Sequence, residues 1–171
     1  MDGTMHGGAG WVLDARAGGE MAGRWWKWAL SAPEERSPVR DETGEHAGWR
    51  QPADVWFLAG TYGGRVERRC TIPAGRPLFF PVLNTQHTRE YAPTPQSMRI
   101  AQASAHLNGV ALPLEDYVGT FRYPLLTSRF ATGRWGTVAP LSPGSYVLEI
   151  RGRSTSGFCV DTTYHLEAVA R

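Results

Sequence analysis

The chain has 171 residues, about one domain's worth, and 42% of them are apolar, enough for one sizeable core. Charged residues make up 20%, the formal net charge is +2 and neither sign is blocked into runs, so the footprint of a nucleic-acid binder, a basic arm or an acidic tail is missing. Seven Trp, six Tyr and six Phe are a heavy aromatic load that must fill a core, a pocket or a partner surface.

In chain order, residues 1–18 are Gly-rich and aperiodic and read as a flexible leader or one edge strand around Trp11 to Leu13. They show no basic segment followed by an apolar stretch, so no export signal is expected. From Glu20 to about Ser31, Met21, Trp25, Trp28 and Ala29 recur at helical spacing, which predicts an amphipathic helix ended by Pro33. Successive helix positions differ by about 100°, so Trp25, Trp26 and Trp28 cannot share one face. Trp26 is expected to meet a loop or a ligand. Residues 32–54, rich in Pro, Gly and charge, form a long loop.

Beyond that loop the period becomes two. Val55 to Ala59 and Arg65 to Ile72 are expected strands, and Gly60 to Gly64 between them predicts a hairpin. The second strand carries Val66, Arg68, Cys70 and Ile72 on one face. PLFFPVLN is apolar without interruption and predicts a strand buried on both sides. Thr94-Pro95 reads as the cap and first residue of a short helix through about Ala101. Asn108-Gly109 predicts a tight hairpin, with further strands at Gly119 to Tyr123, Thr137 to Ala139, Ser145 to Arg151 and Val160 to Val169. The expected fold is therefore mainly β: an antiparallel sandwich or jelly-roll-like barrel behind a Trp-rich helix, one domain over 19–171.

RWWKWALSAP, VWFLAGTYGG and RRCTIPAGRPLFFPVLN, with PLSPGSY and TTYHLEAV near the end, resemble a family of uncharacterised, mostly secreted bacterial proteins. Its members commonly show WWxWA, VWFLAG and CTVPAGKALFFPxxN. The resemblance implies one β-rich domain behind a Trp-rich helix and brings no established activity. Such proteins usually carry an export signal, and often a cysteine before VWFLAG that could pair with the one in CTVPAG. Here no cysteine precedes Cys70, and His46 or Trp49 lies in that region. The resemblance thus points to a cytoplasmic version of a secreted scaffold.

Chemistry is expected where polar residues follow the doubly buried strand, in NTQHTREY. His87 could move a proton near neutral pH, Glu90 could orient it or act itself, and Asn84 and Arg89 could hold a carboxylate or oxyanion. The competing reading is a solvated loop. Trp26, Trp56, Tyr62, Tyr91, Phe121 and Trp135 could wall an apolar pocket, or equally serve as core aromatics. In the last strand Asp161, Thr163, His165 and Glu167 share a polar face, solvent-facing in a sandwich or cavity-lining in a closed barrel. HxH, GxGxxG, Walker-type and GxSxG patterns are absent, so neither a metal nor another cofactor is expected. Cys70 and Cys159 permit one disulfide without requiring it, and Arg68 and Arg69 beside Cys70 could make its thiol reactive where a buried strand thiol would be inert.

The functional expectation is a small-molecule-binding protein, cast as a cofactor-independent enzyme of secondary metabolism. Cyclisation, isomerisation, dehydration or addition needs only positioning and one acid or base. The alternative is a noncatalytic module for glycan or protein. Neither a nucleic-acid nor a membrane partner is expected, since no apolar run approaches the length of a span. A homodimer contact through Trp26 and the 32–54 loop is a further expectation.

Overall fold

The computed structural model describes residues 11–171; residues 1–10, most of the expected leader, lie outside it. Helix α1 (Ala15–Ser31) begins inside the stretch read as leader, because the Asp14 side chain accepts from the Ala17 amide at 2.7 Å and caps it. Trp11 to Leu13 form no strand. Trp11 is nevertheless tied down, its indole N–H donating to the Leu78 carbonyl at 2.9 Å.

Nine strands follow: β1 (Trp56–Phe57), β2 (Gly64–Pro73), β3 (Leu78–Thr88), β4 (Ile100–Leu107), β5 (Val110–Ala111), β6 (Leu114–Arg122), β7 (Ser128–Val138), β8 (Gly144–Ser154) and β9 (Cys159–Val169). They form two sheets, β1-β3-β7-β6 and β2-β9-β8-β4-β5. Mainly β with a sandwich-like pair of sheets is the expected class. Each sheet is mixed, however, since β1 runs parallel to β3 and β2 parallel to β9. The Asn108-Gly109 hairpin forms as expected, both residues taking positive φ. No helix among the described residues is long and apolar enough to cross a membrane.

Sheet packing and helix docking create two cores. Leu78, Phe80 and Val82 of β3 meet Leu148, Ile150, Tyr164 and Leu166 of β8 and β9 between the sheets. On its other side the first sheet presents Phe79, Ala131 and Trp135 to Trp25, Trp28 and Ala29 of α1. Phe79 stacks on Trp135 at 4.8 Å, and Trp25 meets Trp135 edge-on at 5.6 Å. The uninterrupted apolar run of β3 therefore reflects its central layer. The glycines preceding the tryptophans let α1 lie directly on β6: a Cβ on Gly19 would stand 2.4 Å from the Val118 carbonyl oxygen.

Two expected elements do not form. Val55 to Ala59 and Arg65 to Ile72 make no hairpin but enter different sheets. Burial explains this: Val55, Phe57 and Ala59 belong to the helix-side core, and Trp56 and Leu58 to the inter-sheet core. β2 buries only the face holding Arg68 and Ile72, which needs the second sheet's interior. The helix expected from Thr94 is also absent, and residues 94–99 lack regular structure. Thr94 does not cap; its side-chain oxygen accepts from Gln96 Nε2, while the Gln96 carbonyl accepts from the Thr132 hydroxyl at 2.9 Å. A segment this short cannot offset helix nucleation against such bonds.

A buried guanidinium pins the middle of the long loop. Arg68, 1% exposed, donates to the carbonyls of Val39, Asp41, Ala59 and Gly60 and to the Tyr164 hydroxyl at 2.7–3.0 Å. Asp41 folds the next residues over its carboxylate, which accepts from the amides of Thr43, Gly44 and His46, each at 3.0 Å. Burial pushes the Asp41 carboxyl up, but those amides and the Thr43 hydroxyl outweigh it and hold it below its ordinary value.

Arg68→Met should therefore cost at least about 3 kcal/mol in urea unfolding, because several buried acceptors lose their donor. Arg68→Lys should restore little of it, three donors being unable to reproduce the guanidinium fork. A depressed carboxyl stabilises above its unfolded value, near pH 4, and that contribution is lost as pH falls through the lower folded value. Melting temperature should thus fall on acidification in that range, and less steeply in Asp41→Asn; superimposable acid limbs would refute the Asp41 role.

Candidate functional site

β3 carries the residues that matter, and a β-bulge decides which way they point. The β3–β7 register slips between Pro81 and Leu83, so Val82 is the extra residue. Without it Asn84 would follow Leu78, Phe80 and Val82 into the inter-sheet core. With it, Asn84 pairs with Gly133, on the face that presents Ala131 and Trp135 to the helix.

There Asn84 meets Trp26. The two line a small chamber of about 50 Å³ with Trp25, Val39, Tyr62 and Phe158 among its walls. The tryptophans of α1 differ in one respect. Trp25 Nε1 donates to the Leu58 carbonyl at 2.9 Å and Trp28 Nε1 to that of Trp49, whereas Trp26 Nε1 is buried without a partner. Asn84 Nδ2 is likewise buried and unpartnered. Both groups are donors, and an unmatched buried donor costs on the order of 1–3 kcal/mol. Two residues that each keep an unmet, buried N–H group thus line one aromatic-walled chamber.

Val39, Thr61 and Tyr62 also border an outer groove of about 450 Å³ between the long loop and the start of β2. Arg40, Asp41, Glu42, Arg65 and Glu67 give it a charged lining of both signs. The Arg40 guanidinium lies over the half-exposed Tyr62 ring at 5.0 Å. Tyr62 stands between groove and chamber, followed by Gly63 and Gly64, whose φ of +124° and +95° suit glycine.

The expected residues divide accordingly. Asn84, Trp26 and Tyr62 come together. His87 does not join them: it pairs with Phe130 on the opposite face of β3, its ring 5.4 Å from Phe130 and 6.0 Å from Tyr91, with Nε2 3.2 Å from the Thr94 carbonyl. Arg89 is exposed and lies over Phe130 at 4.6 Å; Glu90 is exposed, and so is Tyr91. Phe121 and Trp135 fill the helix-side core, and Trp56 the inter-sheet core under Arg76. Trp26 is covered, so the expected dimer contact through its ring has no exposed surface there. The long loop's part in the site, through Val39, carried no motif in the sequence.

Other clusters resolve simply. The sheets do not close into one barrel, and Asp161, Thr163, His165 and Glu167 lie on the outer face of the second sheet. There His165 Nε2 meets Glu67 Oε1, and this neighbour lowers the Glu67 carboxyl. Cys70 pairs with Leu166 across β2 and β9, seven residues beyond Cys159, a separation of roughly 23 Å at strand rise. Both thiols are free. Burial pushes the Cys70 thiol up to about 12 despite Arg68, the behaviour of an inert core thiol.

The chain matches no protein-family model, no curated protein and no solved structure. The motif resemblance therefore rests on the quoted residues alone.

Iodoacetamide should label one thiol of the native protein, Cys159, and both after unfolding. The Cys70 thiolate is scarcer than an ordinary one by about a thousandfold near neutral pH. Two rapidly labelled thiols in the native state would contradict the burial of Cys70.

Proposed function

We propose that this protein binds a small molecule with an aromatic body and a terminal carbonyl or carboxylate oxygen, the oxygen end seated in the chamber behind Tyr62. The observation that carries this reading is that Trp26 and Asn84, each with a buried, unpartnered N–H donor, line one aromatic-walled space. An oxygen acceptor matches two donors where a further donor would not. The chamber's volume suits the oxygen-bearing end of a ligand, and the outer groove, where Arg40 lies over the Tyr62 ring, has room for an aromatic body stacked there.

Binding is favoured over His87-centred acid–base catalysis because the chamber lining contains no carboxylate, imidazole or thiol. Two donors on one carbonyl oxygen would also polarise it, so isomerisation or addition at an adjacent carbon is the enzymatic extension of the same site. A cytoplasmic small-molecule protein of secondary metabolism remains the setting proposed for it.

The test is isothermal titration with a panel of aromatic carboxylates and the matching ketones, followed by tryptophan fluorescence. A binder should lose about tenfold or more in affinity in Asn84→Leu and in Trp26→Phe, each removing one hydrogen bond to the oxygen. His87→Ala should bind as the native protein does. No heat with any member of the panel, or affinity unchanged in both chamber variants, would remove the proposal.

A further inference from the structure

The turn joining β6 to β7 holds two leucines in solvent. Leu125 is 93% exposed and Leu126 78%, at the tip of the turn at one end of the first sheet. The turn does not fold them back. The Tyr123 amide donates to the Thr127 carbonyl at 2.9 Å, the Thr127 amide to the Pro124 carbonyl at 3.1 Å, and the Tyr123 hydroxyl to the Leu30 carbonyl at 2.9 Å. Leu125 sits at φ +51°, a left-handed conformation that a bulky side chain occupies at a cost. Two adjacent leucines held outward in a strained turn offer apolar surface for a partner to bury.

The charges beneath the tip indicate which partner. Arg122 pairs with Ser128, and the Arg89 amide donates to the Ser128 carbonyl from the other side, so two exposed arginines flank the base of the turn on one rung. Arg129 follows on the next rung. Across 84–95 and 120–131 these three arginines face a single acid, Glu90. Tyr91 is 80% exposed at the same end of β3. An apolar tip, a basic collar and an exposed tyrosine match the order of layers met on entering an anionic bilayer: acyl chains, headgroups, charged surface. A second copy of the chain does not match, because apposing two such tips brings the arginine collars together.

We propose that the Pro124–Leu126 tip docks this protein on an anionic lipid surface, the leucines inserting shallowly and Arg89 and Arg122 contacting the headgroups. The chamber takes no part in this contact, so either proposal can fail alone.

The experiment is vesicle flotation of the full chain with phosphatidylcholine alone and with phosphatidylcholine mixed with phosphatidylserine. The protein should float with the mixed vesicles only, and less so as salt is raised. Leu125→Ser with Leu126→Ser should lower partitioning at least about tenfold, and Arg122→Gln about fivefold, at unchanged melting temperature. Failure to float with the mixed vesicles at low salt would overturn the proposal. So would flotation that the leucine variant retains in full, which is diffuse adsorption without the tip. Leucine-dependent self-association in sedimentation, without vesicle binding, would overturn it in favour of a protein contact.

Discussion

A guanidinium buried among neutral oxygens is the interaction on which the rest of this molecule leans. Arg68 leaves β2 for the interior and finds four main-chain carbonyls and one hydroxyl there. Two carbonyls belong to the long loop, two to the segment linking the sheets, and the hydroxyl to β9. One side chain therefore ties the loop and the linking segment to the paired strands β2 and β9. Tyr164 completes the arrangement, its hydroxyl kept neutral by burial and donating to the Ala59 carbonyl at 2.7 Å. A buried charge without a carboxylate partner survives only when its donors are met, so the segments cannot drift without exposing a large desolvation cost.

That constraint shapes the candidate site. Val39, placed by Arg68, closes one wall of the chamber, and Thr61 and Tyr62 follow directly on Gly60, another Arg68 acceptor. The opposite wall comes from α1, whose three tryptophans do not share one fate. Trp25 and Trp28 spend their N–H groups on carbonyls, and that of Trp26, whose residue lines the chamber, stays unpartnered. The site is thus built from a helix, a bulged central strand and a loop that no local pattern connects.

Much of the fold was legible because burial has a period. The alternation in β2 and β9, the unbroken apolar run of β3 and the Asn-Gly turn each stood in the residues and reappear in the sheets. The hairpin expected between Val55 and Ile72 failed for a non-local reason: the glycine-rich connection does not reveal whether it reverses the chain within a sheet or carries it to another. The candidate site was legible in its parts only. Asn84, Trp26 and Tyr62 each stand out in the sequence, but Asn84 and His87, three residues apart on a regular stretch of strand, face opposite sides of the sheet, and the bulge at Val82 decides which side each takes.

By itself, then, the sequence determined most of the strands and the faces they bury, since side-chain alternation and turn chemistry act over a few residues. It also determined that the aromatic excess would serve more than one place. Only the tertiary structure decided which sheet each strand joined, that the long loop would be a wall of the site, and that Trp26 and Asn84 would share a space. Those outcomes depend on one extra residue in a strand and on a charge seeking acceptors far along the chain, and neither leaves a periodic trace.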